Sequence, residues 1–224
     1  MTTSQIRRWQ RDAARYDQPH MRLRQVAAII NELNAQCMLD IGCGRGQLGK
    51  LCKTVQYVGC DLVIPESSDP FEFHQCDVNA TSLPNLINEF DIVTCSGMLE
   101  YVHDLPRFLN WTRNRLSPGG KLITTYFNFN HLRRRMSHAV RRPSNRHPDW
   151  ANNLRLSQLA ALIRDADFVV ERIIPTHHAF GASPGVESTV DLPTELPGWR
   201  PWSPLLSHQF IIVASATADT PNLI

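Results

Sequence analysis

Three glycines at alternate positions are the feature of this sequence that most clearly suggests chemistry. Gly42, Gly44 and Gly46 follow the apolar run MLDI, whose acid is Asp40, and they precede a short stretch with helical periodicity. A strand that runs into a glycine-rich turn and then a helix presents backbone N–H groups at the start of that helix. Glycine lets a ligand lie against this backbone without meeting a Cβ atom. The pattern therefore predicts a site for a nucleotide-like cofactor.

Two further acids stand at the ends of predicted strands. Asp61 ends VQYVGCD, about 20 residues after the glycines, and Asp77 ends FEFHQCD. Open α/β sheets bind ligands at the rim formed by the carboxyl ends of their strands, where an acid can accept hydrogen bonds from both hydroxyls of a ribose. A nicotinamide-dependent dehydrogenase is the nearest alternative. It prefers the longer G-x-G-x-x-G spacing, and the chain has no Tyr-x-x-x-Lys pair.

Hydrophobic periodicity predicts the elements that must position these residues. Helical spacing covers about residues 4–34, in two sets divided by Pro19. It returns in GQLGKLCK and in LPRFLNWTRNRL, where it extends to Leu116. A further helix is predicted in SQLAALIRDA, with Ser157 as its N-cap. The predicted strands are QCMLDI, VQYVGCD, FEFHQCD, FDIVTCS, KLITTYF, FVVERII and QFIIVASA. Strands that alternate with helices predict a doubly wound α/β fold, with a parallel sheet covered on both faces.

Composition limits the class of protein. The 224 residues fit one globular domain, and 23 basic against 21 acidic residues leave a net charge of +2, too balanced to favour nucleic acid or an anionic membrane as a partner. Six cysteines occur singly, without metal-ligand spacing, so we expect no metal site and a reducing compartment. No segment has the length and apolar character of a membrane span, and we predict a cytoplasmic protein.

Five segments, in order, resemble the motifs of class I S-adenosylmethionine-dependent methyltransferases. They are MLDIGCGRGQLG, VGCDL, HQCDV, FDIVTCSGMLEYVHD and LSPGGKLITTYFN. The stretch YFNFNHLRRRM, followed by LRLSQLAALIRDADFVVERI, also resembles the MetW-like and related small-molecule branch. The resemblance implies a Rossmann-like seven-stranded sheet of order 3-2-1-4-5-7-6, with strand 7 antiparallel. We expect a helical cap at 1–34, the methyltransferase domain at 35–216 with insertions at about 128–153 and 176–207, and a tail at 217–224.

The resemblance also implies roles for individual residues around S-adenosylmethionine. The three glycines would let the methionine moiety pass, while Asp40 orders their loop and reaches the amino group through water. Asp61 would bind the ribose. The remaining expected contacts are Leu62, Asp77 and Val78 at the adenine, Ser96 and Met98 beside the sulfonium and amino groups, and Tyr16 and Arg24 from the N-terminal helices at the carboxylate.

Methyl transfer from a sulfonium is an in-line displacement, so the enzyme must align the acceptor and exclude water. A protonated oxygen or nitrogen acceptor also benefits from a general base, for which histidine has a suitable pKa. His103 follows the fourth strand and His131 the fifth, so these two are our candidates; His177 and His178 follow the sixth. We predict a small-molecule acceptor, and leave open that no base is used.

The segment HLRRRMSHAVRR has an apolar stripe with five arginines mostly on its other face. It predicts either a solvated helix or a lid that closes on an anionic acceptor.

Two alternatives to a small-molecule methyltransferase stay open. A MetW-like chain can act as a regulatory partner of another enzyme, and a nucleic-acid methyltransferase is disfavoured because CSGM stands where an N-P-P-Y-like tetrapeptide is expected. The oligomeric state is not predicted.

Overall fold

The computed structural model describes residues 21–53, 56–64, 70–84, 86, 89–132, 150–176 and 203–217. Several predictions lie outside these residues. They are the first helical set with Tyr16, most of the arginine-rich segment, most of the insertion at 176–207 with His177 and His178, and nearly all of the tail.

A single seven-stranded sheet forms the centre of the described structure. Its strands are β1 (Cys37–Ile41), β2 (Gln56–Asp61), β3 (Glu72–Gln75), β4 (Phe90–Ser96), β5 (Leu116–Phe127), β6 (Phe168–Pro175) and β7 (Gln209–Ala216). The order is β3-β2-β1-β4-β5-β7-β6. The first five strands are parallel to one another, whereas β7 is antiparallel to both β5 and β6. The predicted fold class, strand order and orientation of the seventh strand are confirmed.

Helices cover both faces of this sheet. They are α1 (Met21–Leu33), α2 (Gln47–Leu51), α3 (Leu105–Arg113), α4 (Leu156–Asp165) and the short α5 (Ser203–Leu206), with a 3₁₀ turn at Leu99–Tyr101. On one face, Val26 and Ile29 of α1 pack with Met38 of β1. On the other face, Phe108 of α3 and Leu159 of α4 belong to a second buried cluster. None of the described helices has the length and apolar character needed to cross a bilayer.

Two predicted helix boundaries are wrong. Helix α3 ends at Arg113, and Leu116, which the apolar spacing placed on its face, is the first residue of β5 and pairs with Phe90. Helix α4 begins at Leu156, so Ser157 lies within its first turn and is not the N-cap. The pairing of Leu116 with Phe90 in the sheet and the position of Arg155 at the N-cap of α4 both depend on contacts that the spacing of apolar residues does not show.

Candidate functional site

The glycine loop connects β1 to α2 at the carboxyl edge of the sheet. The backbone N–H groups of Gly42 and Cys43 both donate to the Cys60 carbonyl of β2, at 2.7 and 3.1 Å. Gly42, Gly44 and Gly46 have φ angles of +75°, +58° and +70°. All three therefore occupy the left-handed region that glycine adopts without strain.

The three glycines differ in what a side chain would meet. A Cβ atom on Gly42 would lie 3.3 Å from Cβ of Met98, and one on Gly46 would lie 3.1 Å from the ring of Phe73. Within the part of the chain that the structure describes, a Cβ atom on Gly44 would have no atom within 4 Å. The sequence interpretation treated the three alike, whereas the structure packs two of them against the protein and leaves open space beside Gly44.

The Asp61 carboxylate lies directly against this loop. One oxygen accepts the N–H of Gly44 at 2.7 Å, and the other accepts the N–H of Leu62 at 2.7 Å. Burial raises the pKa of Asp61 to about 6, although these backbone N–H groups act in the opposite direction. Asp61 is therefore held at the end of β2 beside the glycine that faces open space, a contact that sequence spacing did not indicate.

Asp40 is buried under the loop between neighbouring strands. Its carboxylate accepts hydrogen bonds from the Tyr57 hydroxyl at 2.8 Å and the Thr94 hydroxyl at 2.7 Å. Burial raises its pKa, while these two hydroxyls and the charge of Arg22 lower it. We expected Asp40 to order the glycine loop, but the carboxylate that bonds to the loop backbone is that of Asp61.

Arg22 of α1 reaches the end of β4, beside the loop. A Cβ atom on Gly97, which has a φ of +74°, would lie 2.6 Å from the Nη1 atom of Arg22. The Nε atom of Arg22 is buried and has no hydrogen-bond partner among the described residues. The sequence prediction named Arg24, which is exposed. Spacing could have found Arg22, because positions 22, 26 and 29 follow the buried stripe of the helix.

The other predicted cofactor residues lie along the same edge. The Ser96 hydroxyl is 3.3 Å from that of Thr125, and Met98 packs against the core as well as Gly42. Asp77 and Val78 are half-buried in the loop after β3, where Asp77 accepts the N–H of Asn79 at 3.0 Å. The structure thus places all the described candidates, except Arg24, in the loops and strand ends at the carboxyl edge or against them.

The two candidate bases have different surroundings. His131 is 3% exposed, and its ring stacks on His208 with the ring centres 4.2 Å apart. Its Nε2 lies 3.1 Å from the Leu206 carbonyl, which can only accept, so that nitrogen carries a proton. His103 is exposed, and its backbone N–H donates to the Asn79 side chain at 2.8 Å.

Among the described residues, no cluster of three or more ligands could hold a metal ion.

Comparisons with known proteins agree with this architecture. A ubiquinone biosynthesis O-methyltransferase of Xanthomonas axonopodis pv. citri is 33% identical over 120 residues, covering 48% of this chain and 49% of that protein. The chain thus spans about half the length of the curated relatives it matches.

Solved structures share the fold over most of the chain. An S-adenosylmethionine-dependent methyltransferase from Clostridium acetobutylicum has a TM-score of 0.60 at 11% identity and covers 96% of this chain and 99% of its own. Human N-acetylserotonin methyltransferase, solved with its cofactor, has a TM-score of 0.54 at 18% identity and covers 88% of this chain and 52% of its own. Residues 9–173, most of the chain, match the methyltransferase domain family. With that match and the confirmed strand order, the chain belongs to this family of methyltransferases.

Proposed function

We propose that this chain binds S-adenosylmethionine at the carboxyl edge of its sheet and transfers the methyl group to an oxygen or nitrogen atom of a small-molecule acceptor. The observation that carries the proposal is the environment of Gly44. Its N–H is bonded to the Asp61 carboxylate, and no atom of the described residues fills the space beside its Cα atom. A ligand can approach the main chain there and reach a carboxylate at the same place.

The residues at this edge fit the parts of the cofactor. The Asp61 carboxylate has lone pairs beyond its two backbone bonds with which to accept from ribose hydroxyls. The buried Nε of Arg22 and its charge suit the terminal carboxylate of the methionine moiety, the role first considered for Tyr16 and Arg24. The other proposed contacts are Asp40, Gly42, Gly46, Leu62, Asp77, Val78, Ser96 and Met98.

S-adenosylmethionine supplies a methyl group activated by a sulfonium, so the chain has to align an acceptor with it and keep water away. The curated relatives named ubiquinone biosynthesis O-methyltransferases support an oxygen acceptor. For the general base we keep His131 and His103 as candidates. Since Nε2 of His131 faces a carbonyl, Nδ1 is the nitrogen of that ring with which it would accept a proton.

Calorimetry with S-adenosylhomocysteine tests the site. We expect one molecule to bind per chain, and we expect Asp61→Asn to weaken binding by about 1.5–3 kcal/mol, the range for hydrogen bonds to a charged group. Asp91→Asn is a matched control, because the Asp91 carboxylate also accepts two backbone N–H groups, from Gln36 and Cys37, at the opposite edge of the sheet. Its affinity should equal that of the wild type.

Turnover tests the acceptor. Formation of S-adenosylhomocysteine from S-adenosylmethionine should depend on the added acceptor, and a panel of catechols, phenols and primary amines separates oxygen from nitrogen acceptors. His131→Ala should lower this rate and leave the affinity for S-adenosylhomocysteine unchanged if His131 is the base. A wild-type chain that does not bind S-adenosylhomocysteine would refute the proposed function.

A further inference from the structure

Arg107 holds the loop that follows β3. Its guanidinium donates to three main-chain carbonyls of that loop, with Nη1 bonded to Thr81 at 3.0 Å and Nη2 bonded to Val78 at 3.1 Å and Ala80 at 2.7 Å. Arg107 lies in the first turn of α3, where its own N–H donates to the Asp104 side chain at 3.0 Å. One side chain on a capped helix therefore binds main-chain carbonyls along a span of four consecutive residues.

A second side chain fastens the same loop from the opposite direction. Asn79 donates through Nδ2 to the Tyr101 carbonyl at 2.9 Å and accepts the His103 N–H at 2.8 Å. These partners lie in and just after the 3₁₀ turn that follows β4. The loop is irregular and has no sheet neighbours of its own, so these cross-links take the place of a ladder of backbone bonds.

We infer that Arg107 is a positioning residue of the adenine site, an inference that rests on the proposed function of Asp77 and Val78. Recognition of an adenine edge needs an acceptor for its amino group and a donor for a ring nitrogen, both held within a fraction of an ångström. The Asp77 carboxylate and the Val78 N–H supply this pair, and Arg107 holds the Val78 carbonyl and the two carbonyls that follow at Ala80 and Thr81. Arg107 itself acts through the loop and does not touch the cofactor.

Lysine cannot replace this guanidinium. The planar fork of arginine spans several acceptors at once, whereas an ammonium group is a point charge on a flexible stem. Arg107→Lys therefore keeps the charge and removes the geometry. Arg113→Lys is the matched control, because Arg113 lies on the same helix and donates to the Thr217 carbonyl, beyond the end of β7 at the opposite edge of the sheet.

The test measures the affinity of each variant for two ligands, S-adenosylhomocysteine and S-inosylhomocysteine, in which an oxygen replaces the adenine amino group. The wild type should prefer the adenosyl compound. We expect Arg107→Lys to weaken binding of S-adenosylhomocysteine about 5- to 30-fold, as for the loss of one positioned hydrogen bond. It should weaken binding of the inosyl compound much less, so that the ratio of the affinities for the adenosyl and inosyl compounds, the preference, becomes smaller than in the wild type. A role in stability alone would lower the melting temperature and leave the preference as in the wild type.

Each outcome decides the inference. A narrowed preference in Arg107→Lys with an unchanged preference in Arg113→Lys supports it. An unchanged preference in a folded Arg107→Lys overturns it and leaves the proposed function intact. If that variant does not fold, Asn79→Ala removes the second cross-link and should narrow the preference in the same way, and an unchanged preference there overturns the inference. Failure of the wild type to bind S-adenosylhomocysteine would overturn the proposed function and the inference together.

Discussion

Replacing Gly44 by alanine separates the two reasons for a glycine in the loop. The first reason is backbone strain, because the φ of +58° is in the left-handed region, where a side chain costs about 1–2 kcal/mol. The second reason is space for the cofactor, because the new Cβ atom would have no atom of a described residue within 4 Å. The strain affects stability, and the steric effect appears only when the ligand binds.

Gly119→Ala is a control for the first effect alone. Gly119 has a φ of +77°, and a Cβ atom there would also lie more than 4 Å from the other residues that the structure describes. It lies near the start of β5, at the opposite edge of the sheet from the glycine loop. Both variants should therefore lose about 1–2 kcal/mol of unfolding free energy, which for a domain of this size lowers the melting temperature by about 2–8 °C.

Only Gly44→Ala should weaken cofactor binding. A methyl group forced into a filled contact costs about 1–3 kcal/mol, which corresponds to an affinity roughly 5- to 150-fold lower. The assay is calorimetric titration of S-adenosylhomocysteine into the wild type and both variants, with the melting temperatures measured in parallel. If Gly44→Ala bound as tightly as Gly119→Ala, the open space beside Gly44 would not be the cofactor site.

Two further predictions concern the charged residues of the site. The pKa of Asp61 is raised to about 6, so affinity for S-adenosylhomocysteine should rise from pH 5 to 7 as the carboxylate ionises and becomes a better acceptor, then level off. The stability of the free chain should depend on pH in the opposite direction. The contribution of Asp61 to the unfolding free energy is complete below the ordinary pKa of an aspartate and is lost as the pH rises through about 6. A binding profile without this rise, or the same rise in Asp61→Asn, would contradict the role of Asp61. Arg22→Gln should weaken binding of S-adenosylhomocysteine by about 1.5–3 kcal/mol but not that of 5′-methylthioadenosine, which has no carboxylate, and Arg24→Gln should affect neither. Equal losses for both ligands would show that Arg22 acts on the fold and not on the carboxylate.

Local sequence patterns were sufficient to predict the seven strands, most of the described helices and the sheet edge at which the glycines and the acids lie. A buried parallel strand favours a continuous apolar run, and a turn with positive φ favours glycine, so each leaves a signal within a few residues. For this reason MLDIGCGRG predicted β1 and its loop, and the acids Asp61 and Asp77 could be placed at strand ends before any contact was known. The strand order itself came from the family resemblance, since periodicity says nothing about which strands pair.

Only the tertiary structure decided what each of these residues contacts. Gly42 and Gly44 have the same sequence signature, but the position of Met98, brought in from β4, makes one a packing contact and leaves space beside the other. Arg22 and Arg24 are two residues apart, and the rotation of α1 against the sheet places the first at the end of β4 and exposes the second. Such distinctions depend on contacts between residues distant in the chain, whose distances are set by how the helices pack on the sheet. For Arg22 the buried stripe of α1 leaves a periodic signal in the sequence, whereas the difference between Gly42 and Gly44 leaves none.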